Sequence, residues 1–122
     1  MNLKWIITAL AANRAIQHSL YPQNIPVAEE LALDFESAMT AISHESKSSW
    51  STDQQAAIIA LDQKMAMLSG TGHDDIWLDE HALTHPEWDV IRSLARNALI
   101  AFEWQYTVLM PVDSLYVNLP DE

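Results

Sequence analysis

Apolar positions recur at helical spacing along most of this chain. Trp5, Ala9, Ala12, Ile16 and Leu20 fall on one stripe, and Leu3, Ile6 and Leu10 widen it in its first half. The pattern predicts a helix over 2–20, rich in alanine, leucine and isoleucine and stopped by Pro22. So broad a face suits a helix that touches more than one neighbour. A second helix is expected from near Pro26, where a first-turn proline sacrifices no hydrogen bond. Glu29 and Glu30 follow at the positive end of its dipole, and Val27, Leu31, Phe35, Ala38, Met39 and Ile42 make its core stripe. It should end around Ser43, and the five serines from Ser43 to Ser51 read as a connecting loop.

Ser51 or Thr52 opens a third helix, with Gln54 or Gln55 at the three-residue spacing of a capping box. Ile58, Leu61, Met65 and Leu68 form its stripe, and Gly70 supplies a left-handed stop. Asp74 or Asp75 is placed to cap a short helix running through Leu83. Thr84 and Glu87 repeat the capping-box spacing, and Pro86 falls in the first turn of a last long helix, expected to reach about Leu109 before Pro111. That helix carries two stripes. Trp88, Ile91, Ala95, Ala98, Phe102 and Tyr106 form one; Val90, Leu94, Ala101 and Trp104 form the other, so it is expected to be central or shared with another subunit. Residues 112–119 alternate loosely and suit an extended C-terminal tail. The sum is one all-α domain over 1–122: an up-and-down four-helix bundle with a short extra helix in its last connection and an extended tail.

Composition supports a folded domain. The 122 residues are 49% hydrophobic with only two glycines, and a chain of this length can bury a core without staples. No cysteine is present, which removes disulfides, thiol catalysis and cysteine-ligated zinc, and fits a cytoplasmic location. Lys4 and the apolar run to Ala11 share features of a signal peptide. Asn13 and Arg14 follow at once, however, and the segment reads as an amphipathic helix. No run of about 18 apolar residues occurs, so no membrane span is expected.

Charge is the stronger clue. Seventeen acids against six bases give −11. Residues 1–22 hold Lys4 and Arg14 and no acid, whereas residues 23–89 hold 13 acids and two lysines, a balance of −11. Such a field repels nucleic acid and anionic lipid and favours a basic partner. Its densest part is 73–89, HDDIWLDEHALTHPEWD, with six carboxylates, three histidines, two tryptophans and no lysine or arginine.

Catalytic and metal motifs are sparse. His81 and His85 have the i, i+4 spacing of a shared helix face, and His73, Asp79 or Glu80 would be a further ligand. Pro86 and the Thr84/Glu87 spacing instead put a helix boundary at these histidines. No E-x-x-H pair, H-E-x-x-H or G-x-S-x-G occurs, and no glycine-rich loop is available to cradle phosphate. Neighbouring acids such as Asp74–Asp75 and Asp79–Glu80 point about 100° apart on a helix and do not by themselves share a site.

What the pattern does suit is recognition. Asp74, Asp75, Asp79 and Glu80 surround Trp77, a steering field around an aromatic anchor. Glu29, Glu30, Asp34 and Glu36 on the second helix extend the acidic surface, and Trp88 reads as core. The expected function is a small acidic helical interaction protein without a cofactor. It would bind a basic protein surface through Asp74, Asp75, Trp77, Asp79 and Glu80, as an inhibitor, immunity or antitoxin-like factor does. The alternatives are a metal-binding bundle or metal-dependent enzyme using His73, His81 and His85, and a structural homodimer packed through the first and last helices.

Overall fold

The computed structural model describes residues 2–70 and 72–105, and all regular structure among them is helical. Seven α-helices follow in order: α1 (Leu3–Ala11), α2 (Arg14–Ser19), α3 (Val27–Ala41), α4 (His44–Ser48), α5 (Thr52–Met67), α6 (Asp74–Trp77) and α7 (Pro86–Ala101), with a 3₁₀ turn, Ala82–Thr84, between the last two. None is long and apolar enough to cross a membrane. The tail at 112–119, together with Tyr106, Leu109 and Pro111, lies outside the described residues.

The all-α class holds, but the first helix does not run unbroken over 2–20. Ala12 and Asn13 are extended, and the Asn13 side chain accepts from the Ile16 N–H at 2.9 Å, starting a new helix. The break is closed by Gln17, fully buried, whose Nε2 donates to the Ala9 and Leu10 carbonyls at 3.0 and 3.2 Å. Arg96 of α7 donates Nε to the next carbonyl, Ala11, at 3.1 Å. The buried carbonyl end of α1 thus finds donors that an unbroken helix would not need. The 43–51 loop likewise holds a turn of helix, α4, started by Ser43, whose Oγ accepts from the Ser46 N–H at 3.1 Å.

Every residue of α1 except Lys4 is buried. Its two-sided apolar surface is taken up within the chain, because α1 packs against both α3 and α7. The first of the two helices expected at a homodimer contact is thus buried against its own chain. α7 packs in turn against α5, so the four longer helices lie in the order α3, α1, α7, α5. Trp88, Ile91, Ala95 and Ala98 of α7 are fully buried, whereas Val90 of its second stripe is 40% exposed.

Both ends of α7 differ from expectation. α7 starts at His85, whose Nδ1 accepts from the Glu87 N–H at 3.1 Å. Thr84 instead donates its hydroxyl to the His81 carbonyl, and Glu87 reaches out to Lys64 of α5 at 3.0 Å, so no Thr84/Glu87 capping box forms. α7 also stops at Ala101, short of Leu109. Glu103 takes a left-handed conformation (φ 56°), the Glu103 N–H donates to Ile100 O and the Trp104 N–H to Leu99 O, the paired bonds of a Schellman stop. Phe102 stacks on Trp104 at 4.4 Å and meets Trp50 edge-on at 5.3 Å, which holds the chain in that turn. The capping box of Ser51 with Gln54 stands as expected; Gly70 has the expected positive φ (102°) but lies beyond the end of α5, which closes through the Leu68 and Ser69 N–H groups on the Met65 and Ala66 carbonyls.

One buried polar network ties the distant parts together. Arg92, 6% exposed, donates Nε and Nη2 to Gln17 Oε1 at 3.1 and 2.9 Å, and Nη2 also to the Leu83 carbonyl at 2.6 Å. Its Nη1 meets Asp89 at 3.2 Å. Burial pulls the guanidinium below its usual range while Asp89 pulls the other way.

Candidate functional site

The α3 and α5 helices do not pack along their length; they border an open cleft of about 610 Å³ whose far end is closed by α6. Its floor is the buried Phe35 of α3, the buried Met65 of α5 and the half-buried Trp77 of α6. Leu33 and Leu78, 47% and 51% exposed, add apolar surface at its sides. Trp77 is fixed at both ends. Its Nε1–H donates to the Leu68 carbonyl at 2.7 Å, and its ring meets Trp88 edge-on at 5.7 Å. The Trp88 Nε1–H in turn holds the Ile76 carbonyl at 2.9 Å, so both indoles secure α6 to the helices beneath it.

The rim is acidic. Glu29, Glu36, Asp62 and Asp74 line the cleft, and no lysine or arginine does. Elsewhere most carboxylates of this region are engaged: Asp34 by Tyr21, Asp75 by His85, Asp79 by the His81 N–H, Glu80 by His81, Glu87 by Lys64 and Asp89 by Arg92. The four rim carboxylates have no side-chain hydrogen bond or ion pair among the described residues. Lys64, the base nearest in sequence to Asp62, is paired with Glu87.

The sequence-derived patch is divided by this geometry. Asp74 and Trp77 line the α3–α5 cleft. Asp79 and Glu80 line a different hollow of about 490 Å³, beside His18 and the start of α3, with Leu78 on the ridge between the two. Asp75 faces neither; its carboxylate lies 3.3 Å from His85 Nε2. Asp74 and Asp75 are first-turn residues of α6 rather than its cap, which is His73, and the helix stops at Trp77 instead of reaching Leu83. Of the acids on α3, Glu29 and Glu36 join the cleft, while Asp34 is bound to the Tyr21 hydroxyl at 2.5 Å. Asp62 is the rim residue that sequence reasoning passed over. It was legible only in that it shares a face with Met65, Ala66 and Ser69.

The three histidines of the metal alternative serve separate ends. His85 caps α7 and contacts Asp75, His81 is an exposed neighbour of Glu80, and His73 begins α6 without a side-chain bond. Among the described residues no group of three histidine, aspartate or glutamate side chains converges on a space for a cation. Comparison with protein-family models, curated proteins and solved structures finds no match to this chain.

Proposed function

We propose that this chain is a small acidic helical interaction protein that binds a basic surface on a protein partner, in the manner of an inhibitor, immunity or antitoxin-like factor. The observation that carries the reading is the cleft between α3 and α5. An apolar floor is ringed by four carboxylates that nothing in the described chain neutralises. Apolar contact in a desolvated floor supplies affinity, and unpaired charge around it supplies steering and selection. The same reading takes the longer helices as an up-and-down bundle left unclosed on its α3–α5 side. It also moves the centre of recognition from Asp75, Asp79 and Glu80 towards Glu29, Glu36, Asp62, Asp74 and Trp77.

The test is capture on the immobilised chain at low and high salt, wild type beside Glu36→Lys/Asp62→Lys/Asp74→Lys. A basic protein retained at low salt, released by salt and not retained by the triple variant is the expected result. Unchanged helicity and melting of the variant show that the fold is intact. Equal capture by both chains overturns this placement of the site.

A further inference from the structure

The form of the ligand follows from how the two banks of the cleft are built. On α3 the lining residues are Glu29, Ala32, Leu33, Phe35 and Glu36; on α5 they are Asp62, Met65 and Ala66, with Ser69 just past its end. Above the Phe35 floor, Glu29, Ala32, Leu33 and Glu36 read i, i+3, i+4, i+7, a helical ridge two turns long, and Asp62, Met65 and Ala66 read i, i+3, i+4, a shorter ridge that ends with α5. Each carries an alanine, Ala32 and Ala66, leaving room for a third rod to approach. The packing order α3, α1, α7, α5 leaves the side between α3 and α5 open, and this cleft is that side. The charge is arranged lengthwise too. Glu29 and Glu36 are seven residues apart, a rise of about 10.5 Å, which matches two cationic residues seven apart on an opposing helix. Asp62 and Asp74 supply charge from the other bank and the end.

We propose that the cleft seats an amphipathic helix of the basic partner, apolar stripe downward on Phe35, Met65 and Trp77, with lysines or arginines along both its edges. The inference rests on the interaction reading and adds the shape of the ligand to it. Helix-in-groove recognition works through such i, i+3, i+4, i+7 anchors. A second copy of this chain is a poor occupant on charge grounds. It has six basic residues in all. Lys64 is paired with Glu87, and Arg92 is buried. Its own C-terminal residues 106–122 contain no lysine or arginine and three acids, Asp113, Asp121 and Glu122, so they offer no cationic helix either.

The experiment uses the full chain and two synthetic peptides of identical leucine and lysine content. In one, the leucines recur at i, i+3, i+4, i+7; in the other, leucine and lysine alternate and no helical face exists. Binding is measured by calorimetry at low salt, peptide helicity by circular dichroism, and occupancy by the Trp77 indole N–H resonance. The helical-face peptide is expected to bind about tenfold more tightly than the alternating one, and to gain helicity as it binds. Ala66→Gln/Leu78→Asn, which roughens the cleft without changing charge, should weaken the helical-face peptide about tenfold and leave the alternating one unchanged. Glu36→Gln/Asp62→Asn should weaken both.

Equal binding of the two peptides, insensitive to Ala66→Gln/Leu78→Asn, overturns the helix seat while leaving a basic-surface binder standing. No binding of either peptide at low salt removes the interaction reading and the helix seat together. A concentration-dependent dimer that Ala66→Gln/Leu78→Asn dissolves identifies a second copy as the occupant and also overturns the proposal.

Discussion

Arg92 and Gln17 are 75 positions apart, yet each leaves the other's hydrogen-bonding groups stranded if it is removed. Replacing Arg92 by methionine keeps much of the apolar stem but strips donors from Gln17 Oε1 and the Leu83 carbonyl, inside a region sealed from water. Replacing Gln17 by leucine removes the acceptor facing a buried guanidinium and uncovers the Ala9 and Leu10 carbonyls at the end of α1. Each change should cost about 3 kcal/mol, because an unmade buried bond is charged at its desolvation cost rather than its net worth. The double variant Gln17→Leu/Arg92→Met, with both polar partners gone, should lose at least about 1 kcal/mol less than the two singles added together. Urea unfolding of the four proteins measures this. Strict additivity would mean that the two side chains stabilise the fold independently. Neither residue announces itself in the sequence: Gln17 is a lone amide beside an apolar stripe, and its partner is 75 residues away.

Helix boundaries were legible where the signal is local. Ser51 with Gln54 and Pro86 in the first turn of α7 each act within a few residues, so spacing alone finds them. The boundaries set by distant partners were not. Asn13 looks like one polar residue in a continuous helix until Gln17 and Arg96 are seen holding the end of α1. The stop after Ala101 has no glycine to mark it and depends on aromatic contacts with Trp50 across the fold. Gln54 shows both kinds of signal in one side chain. Its Oε1 accepts from the Ser51 N–H at 2.9 Å, completing the start of α5, while its Nε2 donates to the Ala101 carbonyl at 3.2 Å, covering the end of α7. Glutamate at this position is ordinarily as good as glutamine, since it closes the same box and suits the positive end of the dipole. Here Gln54→Glu loses the donor and sets a carboxylate against the negative end of α7, so it should destabilise by about 1 kcal/mol. A thermal melt of Gln54→Glu that matches or exceeds the wild type would show that the bond to Ala101 contributes nothing.

At the scale of the whole molecule, the sequence located the acidic middle of the chain but not the surface it makes. Asp74 and Trp77 could be picked out because they are adjacent to other acids; Glu29, Glu36 and Asp62 reach the same cleft from two other helices, and only the packing of α3, α1, α7 and α5 brings them there. That convergence has a thermodynamic consequence in the free protein. Four carboxylates without side-chain partners among the described residues, in a chain of net charge −11, repel one another whenever the cleft is empty. Charges retained for binding carry such a cost, whereas charges that merely hold the fold together do not. Glu36→Gln/Asp62→Asn should therefore raise the urea midpoint of the free chain at low salt, and the gain should shrink as salt screens the repulsion in the wild type. Asp75→Asn is the matched control. It removes one negative charge where the cleft pair removes two, but from a carboxylate already beside His85, so it should lower the midpoint or leave it unchanged rather than give half the gain. If the cleft pair instead lowers the midpoint, these carboxylates support the fold through contacts of their own, and their lack of partners ceases to argue for an absent cationic ligand. A rise that persists undiminished in high salt would assign the gain to something other than charge, such as altered helix propensity on α3 and α5, and would detach the stability of the chain from the ligand its cleft is proposed to hold.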